Sequence, residues 1–198
     1  PPWHPAWTEV GRIDPQGRGL SYSVIRPGAA VELTADRLVR ITARNGSVMT
    51  GPGTNTYLLR CAGDDWVAID PGPDDPAHVE ALAVELKRRG ARLLAVLVTH
   101  THIDHSPAAQ ALKRATGARL IGRMADHRGG QDASFTPEHV PADGERIDFG
   151  GGCVLRAIHT PGHASNHLCW LHEGERMLFT GDHVMQGSTV VINPPDGD

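Results

Sequence analysis

Cysteine, long apolar runs and concentrated charge are all scarce in this chain, and each scarcity removes a class of protein. Only three cysteines occur, Cys61, Cys153 and Cys169, with no C-x-x-C spacing. That argues against a disulfide framework and a thiolate zinc site, and predicts free thiols in a reducing compartment. No apolar run approaches the ~20 residues that span a bilayer, so no membrane segment is expected. The opening residues, PPWHPAWTEV, lack the basic and apolar regions of a secretory signal, which predicts a cytoplasmic protein. The formal net charge is only -4 over 198 residues, a balance that speaks against broad capture of nucleic acid or an anionic membrane. No internal repeat or low-complexity tract is present.

What remains is enough for one domain. The chain is 39% hydrophobic and 21% charged, the balance of a globular fold with a real core. Residues 1–35 are rich in Pro, Gly and Arg without periodicity and read as an N-terminal arm. Residues 36–198 read as the domain. Strands are predicted over 37–43, 55–61 and 66–70. Asp75-Pro76 signals a helix start and Gly90 a stop, with Val79, Leu82, Ala83 and Leu86 at helical spacing. The short apolar run at 93–99 predicts a central strand covered on both faces. A second helix opens at Ser106-Pro107 and ends near Gly117, and a short strand follows at 119–122. This order is α/β. Residues 123–144 read as a long polar loop with one helical turn after Thr136-Pro137. Five further strands are predicted in the segments ERIDF, CVLRAIH, HLCWL, RMLFT and TVVI. The second half thus offers strands and almost no helix to cover them, so it reads as incomplete, and the natural chain is expected to continue beyond residue 198.

Histidine is the one abundant oddity, at 12 residues. His4, His78, His127, His139 and His172 lie in polar or loop-like surroundings and read as surface residues. Others gather after strand ends. His100-Thr101-His102-Ile103-Asp104-His105 follows the buried strand, where sites collect in α/β folds. In extended chain, alternate side chains point the same way, so His100, His102 and Asp104 converge, and the turn into the next helix can bring His105 back. Imidazole and carboxylate suit zinc, manganese or iron. Thr160-Pro161-Gly162-His163 and Thr180-Gly181-Asp182-His183 each place another ligand-type residue past a strand. Any one of these segments is weak; together they mark a metal site.

The pattern resembles the metallo-β-lactamase superfamily, with its H-x-H-x-D-H signature and four-layer αββα sandwich. The resemblance implies that His100, His102 and His163 hold one divalent metal, that Asp104 and His105 hold a second, and that Asp182 bridges them. Two zinc ions are the implied cofactors, with manganese or iron as alternatives. It further implies a hydrolase that uses a metal-bound hydroxide, with Asp104 also orienting it. The segments around Thr54, His163 and Asp182 look similar to the beta-lactamase-like protein 2 group, which implies phosphodiester cleavage of single-stranded RNA. Thioester hydrolysis of the glyoxalase II type uses the same ligands, so a small-molecule substrate is also open. A mononuclear iron persulfide dioxygenase, holding its iron by His100, His163 and Asp182, is a third reading. The family's last histidine ligand has no match before residue 198, and His183 is a poor substitute because neighbouring side chains diverge.

Asp70 ends the strand WVAID. It reads either as a turn former or as the acceptor of a ring N–H from a ligand histidine, and resemblance to the family's aspartate favours the second. Loops 45–56 and 123–142 are candidate substrate loops. Met49, Asn55, Asn166 and His167, with Thr54, are the candidate substrate contacts.

Overall fold

The computed structural model describes residues 28, 30–34, 36–127, 129–185 and 188–198. Its elements run β1 (Ala30–Thr34), β2 (Leu38–Thr42), β3 (Asn55–Arg60), β4 (Asp65–Ile69), α1 (Pro76–Arg88), β5 (Arg92–Leu97), α2 (Ala108–Thr116), β6 (Arg119–Ile121), β7 (Arg146–Asp148), β8 (Val154–His159), β9 (Leu168–His172) and β10 (Met177–Phe179). Strands β1 to β6 form one sheet in sequence order, and β10-β9-β8-β7 form a second. The first four strands of the larger sheet pair antiparallel, whereas β4, β5 and β6 are parallel with a helix in each crossover. The smaller sheet is wholly antiparallel.

Alternation along the strands divides the core in two. Tyr57, Leu59, Val67, Ile69, Ala95 and Leu97 face the smaller sheet and meet Leu155, Ala157, Leu168, Trp170 and Phe179. Leu58, Trp66, Ala68 and Val96 face the other way, against Leu82 and Leu86 of α1 and Leu112 of α2. The layers are therefore helix, sheet, sheet: three of the four layers of the expected sandwich, with no helix after α2 among the described residues. None of the described helices is long and apolar enough to cross a membrane.

Local chemistry explains the element ends. Asp75 accepts the Ala77 N–H at 3.1 Å and caps α1, with Pro76 at its first position. Gly117 stops α2 in the left-handed conformation, φ 76°. Ser106 does not cap α2; its hydroxyl donates to Asp132 at 2.8 Å, and α2 has no side-chain cap.

Several expectations are corrected. Residues 1–27 of the expected arm lie outside the described residues, but Ala30–Thr34 pairs with β2 as an edge strand. Pairing with a neighbouring strand, rather than its own periodicity, makes this segment regular. The segment TVVI is not a strand; it is irregular and packs beside the cluster described below. No helical turn follows Thr136-Pro137. Instead Phe135 is buried in the helix-side core, which anchors that loop. Cys61 and Cys153 are joined by a disulfide with Cα atoms 5.0 Å apart, against the expectation of free thiols. They end and precede strands of opposite sheets, so sheet packing brings together residues 92 apart in sequence. Cys169 is a buried free thiol. His78 and His172 are buried rather than on the surface; His78 Nε2 lies 3.0 Å from the Thr56 hydroxyl.

Trp170 is fully buried between the sheets, and its indole N–H donates to the Val98 carbonyl at 3.3 Å. Trp170→Ala is expected to lower the unfolding free energy by about 3–5 kcal/mol, the usual range for deleting a buried aromatic ring. Urea titration checks this; a loss below about 1 kcal/mol, under that range, would mean the sheets do not pack through this residue.

Candidate metal centre

The site forms where both sheets end. Leaving β5, the chain runs through Thr99 into His100–His105. The amide of Leu168, the first residue of β9, donates to the Thr99 carbonyl at 2.7 Å and ties the smaller sheet to this turn. Asp70, just past β4, sits at φ 50°, a left-handed conformation that aspartate tolerates better than most residues. Its Oδ1 accepts the Thr99 amide at 2.7 Å and its Oδ2 the Thr99 hydroxyl at 2.7 Å. Oδ2 also lies 3.0 Å from His105 Nδ1. The structure thus brings Asp70 against a histidine of the cluster, with its carboxylate where it accepts the Nδ1 proton and leaves Nε2 facing the other donors.

All six sequence-predicted ligands come together. The ring nitrogens of His100, His102 and His163 lie within 4.8 Å of one another, as do the donor atoms of His100, His105 and Asp182. Asp182, a member of the second group, also reaches the first: Oδ1 is 3.4 Å from His105 Nε2 and Oδ2 is 3.5 Å from His163 Nε2. Asp104 sits at the edge, with Oδ2 3.5 Å from His105 Nε2. Thr54 holds it there by donating its hydroxyl to the same oxygen at 3.0 Å. Gly181 lets Asp182 approach: at φ 47°, a Cβ at this position would lie 2.6 Å from the Thr99 hydroxyl.

These donors suit a divalent cation. His100 is buried, and its Nε2 has no hydrogen-bond partner, a cost for a polar atom in an apolar interior. Burial, then the neighbouring imidazoles of His105, His167, His102 and His163, hold the His100 pKa well below the ordinary histidine range. It is therefore neutral and offers a lone pair, the form that binds metal. His105 goes the opposite way. Burial opposes its charge, but Asp104, Asp182 and Asp70 outweigh that and raise its pKa well above the ordinary value. Burial also pushes Asp182 up, yet His105, His163 and His167 pull it well below the usual carboxylate range. The carboxylates thus draw positive charge to the space between them and His105 Nε2, a need that a divalent cation meets.

The remaining candidates are placed differently. Met49 is exposed and lines the cavity above the cluster, a space of about 430 Å³ floored by His102, Asp104, His163 and Asp182. Asn55 is buried in β3 and accepts the Thr42 hydroxyl at 2.6 Å. Asn166 is buried too, donating to Thr101 and to the Arg123 carbonyl at 2.7 and 2.8 Å. His167 is buried with Nδ1 2.9 Å from the Thr160 hydroxyl, its ring stacked on His100, and burial, foremost among its surroundings, pushes its pKa down to about 3. These three shape the walls rather than line the cavity. His183 is exposed and belongs to neither donor group.

Asp196 was not singled out in the sequence. Its carboxylate accepts from the Ser165 hydroxyl and from Gln131 Nε2 at 2.5 and 2.7 Å, and lies 3.9 Å from His102 Nε2. It joins the loop carrying His163, the loop beside His102 and the final segment. Val191 reinforces this, its carbonyl 2.6 Å from His163 Nδ1. No local pattern marks an aspartate in a Pro-Pro-Asp-Gly turn as a partner of residues 31 and 65 positions away.

Asp70→Asn keeps the side-chain shape but cannot accept from both Thr99 and His105. Metal affinity, measured by competition with a chromophoric chelator, is expected to fall about 10–100-fold, with the circular dichroism spectrum unchanged. Unaltered affinity would contradict the role given to this carboxylate.

Residues 49–198 match the family model described as the metallo-beta-lactamase superfamily. Among similar proteins, the lactamase-like protein aptB of Emericella nidulans is 36% identical over 162 residues, covering 79% of this chain and 48% of that protein. An atrochrysone carboxyl ACP thioesterase from the same organism is 32% identical over 164 residues, covering 83% of this chain and 50% of that protein. The chain thus spans about half the length of the curated relatives it matches. Among solved structures, the BLEG-1 B3 metallo-beta-lactamase superposes with a TM-score of 0.64 at 27% identity, over 76% of this chain and 77% of that one. TTHA1623, solved in a di-iron-bound form, gives a TM-score of 0.59 at 27% identity, over 76% of this chain and 78% of that one. Fold, clustered donors and family match agree: this chain belongs to the metallo-beta-lactamase superfamily.

Proposed function

We propose that this chain carries the metal centre of a thioester hydrolase. The observation that carries the hydrolytic part is the pair of donor groups that share His100, one of them including Asp182, set at the floor of an open cavity lined by His102, His163 and Asp182. The names of the relatives support the choice of bond: several are atrochrysone carboxyl ACP thioesterases. The single-stranded RNA reading, and with it the beta-lactamase-like protein 2 likeness, finds no support among those names, which are lactamase-like or thioesterase. An acyl group in thioester linkage is accordingly the proposed substrate, whether on a carrier protein or on a small thiol.

His100, His102 and His163 would hold one divalent ion, and Asp104 and His105 a second, with Asp182 between them. When bound, such ions acidify water and stabilise negative charge developing on a carbonyl oxygen. The chain's own groups do the rest. Asp70 keeps the His105 Nδ1 proton in place, so that Nε2 presents its lone pair. Thr54 fixes one oxygen of Asp104 and leaves the other to accept a hydrogen bond from the attacking water and orient it. Water oxygen bonds to the acyl carbon and the C–S bond breaks; the thiolate leaves and takes up one of the water protons, and the other is released to solvent as the acid product ionises. A thiolate leaves readily because thiol pKa values lie near 8.5, so this bond asks little of an acid at the leaving group.

Two variants test this. With zinc or manganese loaded, the full chain is expected to release thiol from S-acyl N-acetylcysteamine. Asp182→Ala and His102→Ala should each lower that rate by more than about 100-fold, beyond the loss typical of residues that only support a ligand. Cleavage of labelled single-stranded RNA without thiol release would refute the proposal.

A further inference from the structure

We infer that the apolar side of the cavity over the cluster is an acyl-binding site, and that Val48 and Met49 set its preference for long or bulky hydrophobic acyl groups over short ones. The inference deepens the thioesterase reading and rests on it for the linkage, though not for the apolar character of the site.

Single exposed hydrophobic residues need no explanation, because much of any protein surface is apolar. Their placement here does. Among the described residues nine large hydrophobic side chains are exposed, and six belong to segments that carry or touch the cluster. Ile103 lies between His102 and Asp104, and Val184 two residues past Asp182. Val191 and Ile192 belong to the segment whose carbonyl meets His163 Nδ1. Val48 and Met49 stand on the loop between β2 and β3, Val48 wholly exposed and Met49 63% exposed. Val48, Met49 and Val191 line the cavity itself, and half-buried Met185 with Pro194 and Pro195 adds to its apolar lining. Apolar surface gathered at one mouth marks a binding surface rather than a random scatter.

The loop that presents Val48 and Met49 is built to hold them outward. The Ser47 hydroxyl accepts the amides of Met49 and Thr50, both at 3.1 Å. The Ser47 amide donates to the Gly51 carbonyl at 3.0 Å, closing a tight turn. Asn45 then ties the base of the turn to Thr54, accepting its amide at 2.9 Å, and Thr54 is the residue that holds Asp104. The turn that exposes the two apolar side chains is therefore continuous, through Thr54, with a carboxylate of the cluster. An acyl chain leaving a carbonyl at the floor can lie against Val48, Met49, Met185 and Val191, which all line the cavity. Methionine suits such a wall, because its unbranched, polarisable side chain adapts to varied shapes. Polar groups line the rest of the cavity: the histidines and carboxylates of the floor, with His127, Ser188, Thr189, Asn193 and Asp196. An apolar acyl group therefore meets matching surface at the rim, whereas a carboxylated one is set beside Asp104, Asp182 and Asp196.

The test uses S-acetyl and S-hexanoyl N-acetylcysteamine as substrates, with the S-ethyl and S-hexyl thioethers as probes that cannot be hydrolysed. On the zinc-loaded full chain, kcat/KM for the hexanoyl ester should exceed that for the acetyl ester by about 10- to 100-fold, and the hexyl thioether should bind at least about tenfold tighter than the ethyl one by NMR titration. The double variant V48S/M49S replaces two exposed side chains, so the fold should be retained. It should bring both ratios below about threefold, as expected when apolar contact is removed, with zinc content unchanged. Equal binding of the two thioethers, or ratios that survive the double variant, would overturn the inference. If neither ester is cleaved, yet the hexyl thioether is preferred and the double variant removes the preference, the apolar site stands and the hydrolase reading falls.

Discussion

The buried carboxylate of Asp70 is the contact on which the arrangement depends. Parallel strands β4 and β5 end side by side, and each end leaves backbone groups that need partners. Asp70 turns into the left-handed region, which aims its side chain across the gap to the amide and hydroxyl of Thr99. The same oxygen that takes the Thr99 hydroxyl reaches His105. One side chain thereby closes the sheet end, fixes the start of the His100–His105 turn and sets which His105 nitrogen faces Asp104 and Asp182. The smaller sheet then joins through Leu168 and Thr99, so His163 and Asp182, which follow β8 and β10, are delivered to the same point.

Below that frame the site is layered by burial. His100 and His105 are almost wholly buried, whereas His102, Asp104 and Asp182 face the cavity. The deep imidazoles cannot all take protons, because burial and mutual repulsion oppose it, while the carboxylates favour positive charge among them. This conflict has a simple resolution: a small cation that accepts several lone pairs at once. Cation binding and the rigidity of the turn are then linked, since a preformed set of donors costs less to organise.

Much of this was legible in the chain. The α/β half was readable because its strands are short apolar runs and α1 carries a Pro start and a Gly stop. The six candidate donors could be picked out because each follows a strand end within a few residues, so local geometry carries the signal. What escaped depends on residues far apart. Strand β1 is made regular by its partner, not by its own pattern. Cys61 and Cys153 meet only because two sheets pack. Asn55, Asn166 and His167 have side chains common at binding sites, yet each is spent on a buried contact. Thr54, considered as a substrate contact, instead holds Asp104, and Asp196 bonds to Gln131 and Ser165 across the final turn. Polar residues announce that a contact exists but not with what.

If these side chains form one centre for two ions, metal content per chain, by mass spectrometry after zinc reconstitution and removal of free metal, should read about two equivalents, as in two-metal hydrolytic sites, retained through the desalting step. A chain that binds none, or that holds a single iron and gains nothing from added zinc, would contradict that reading.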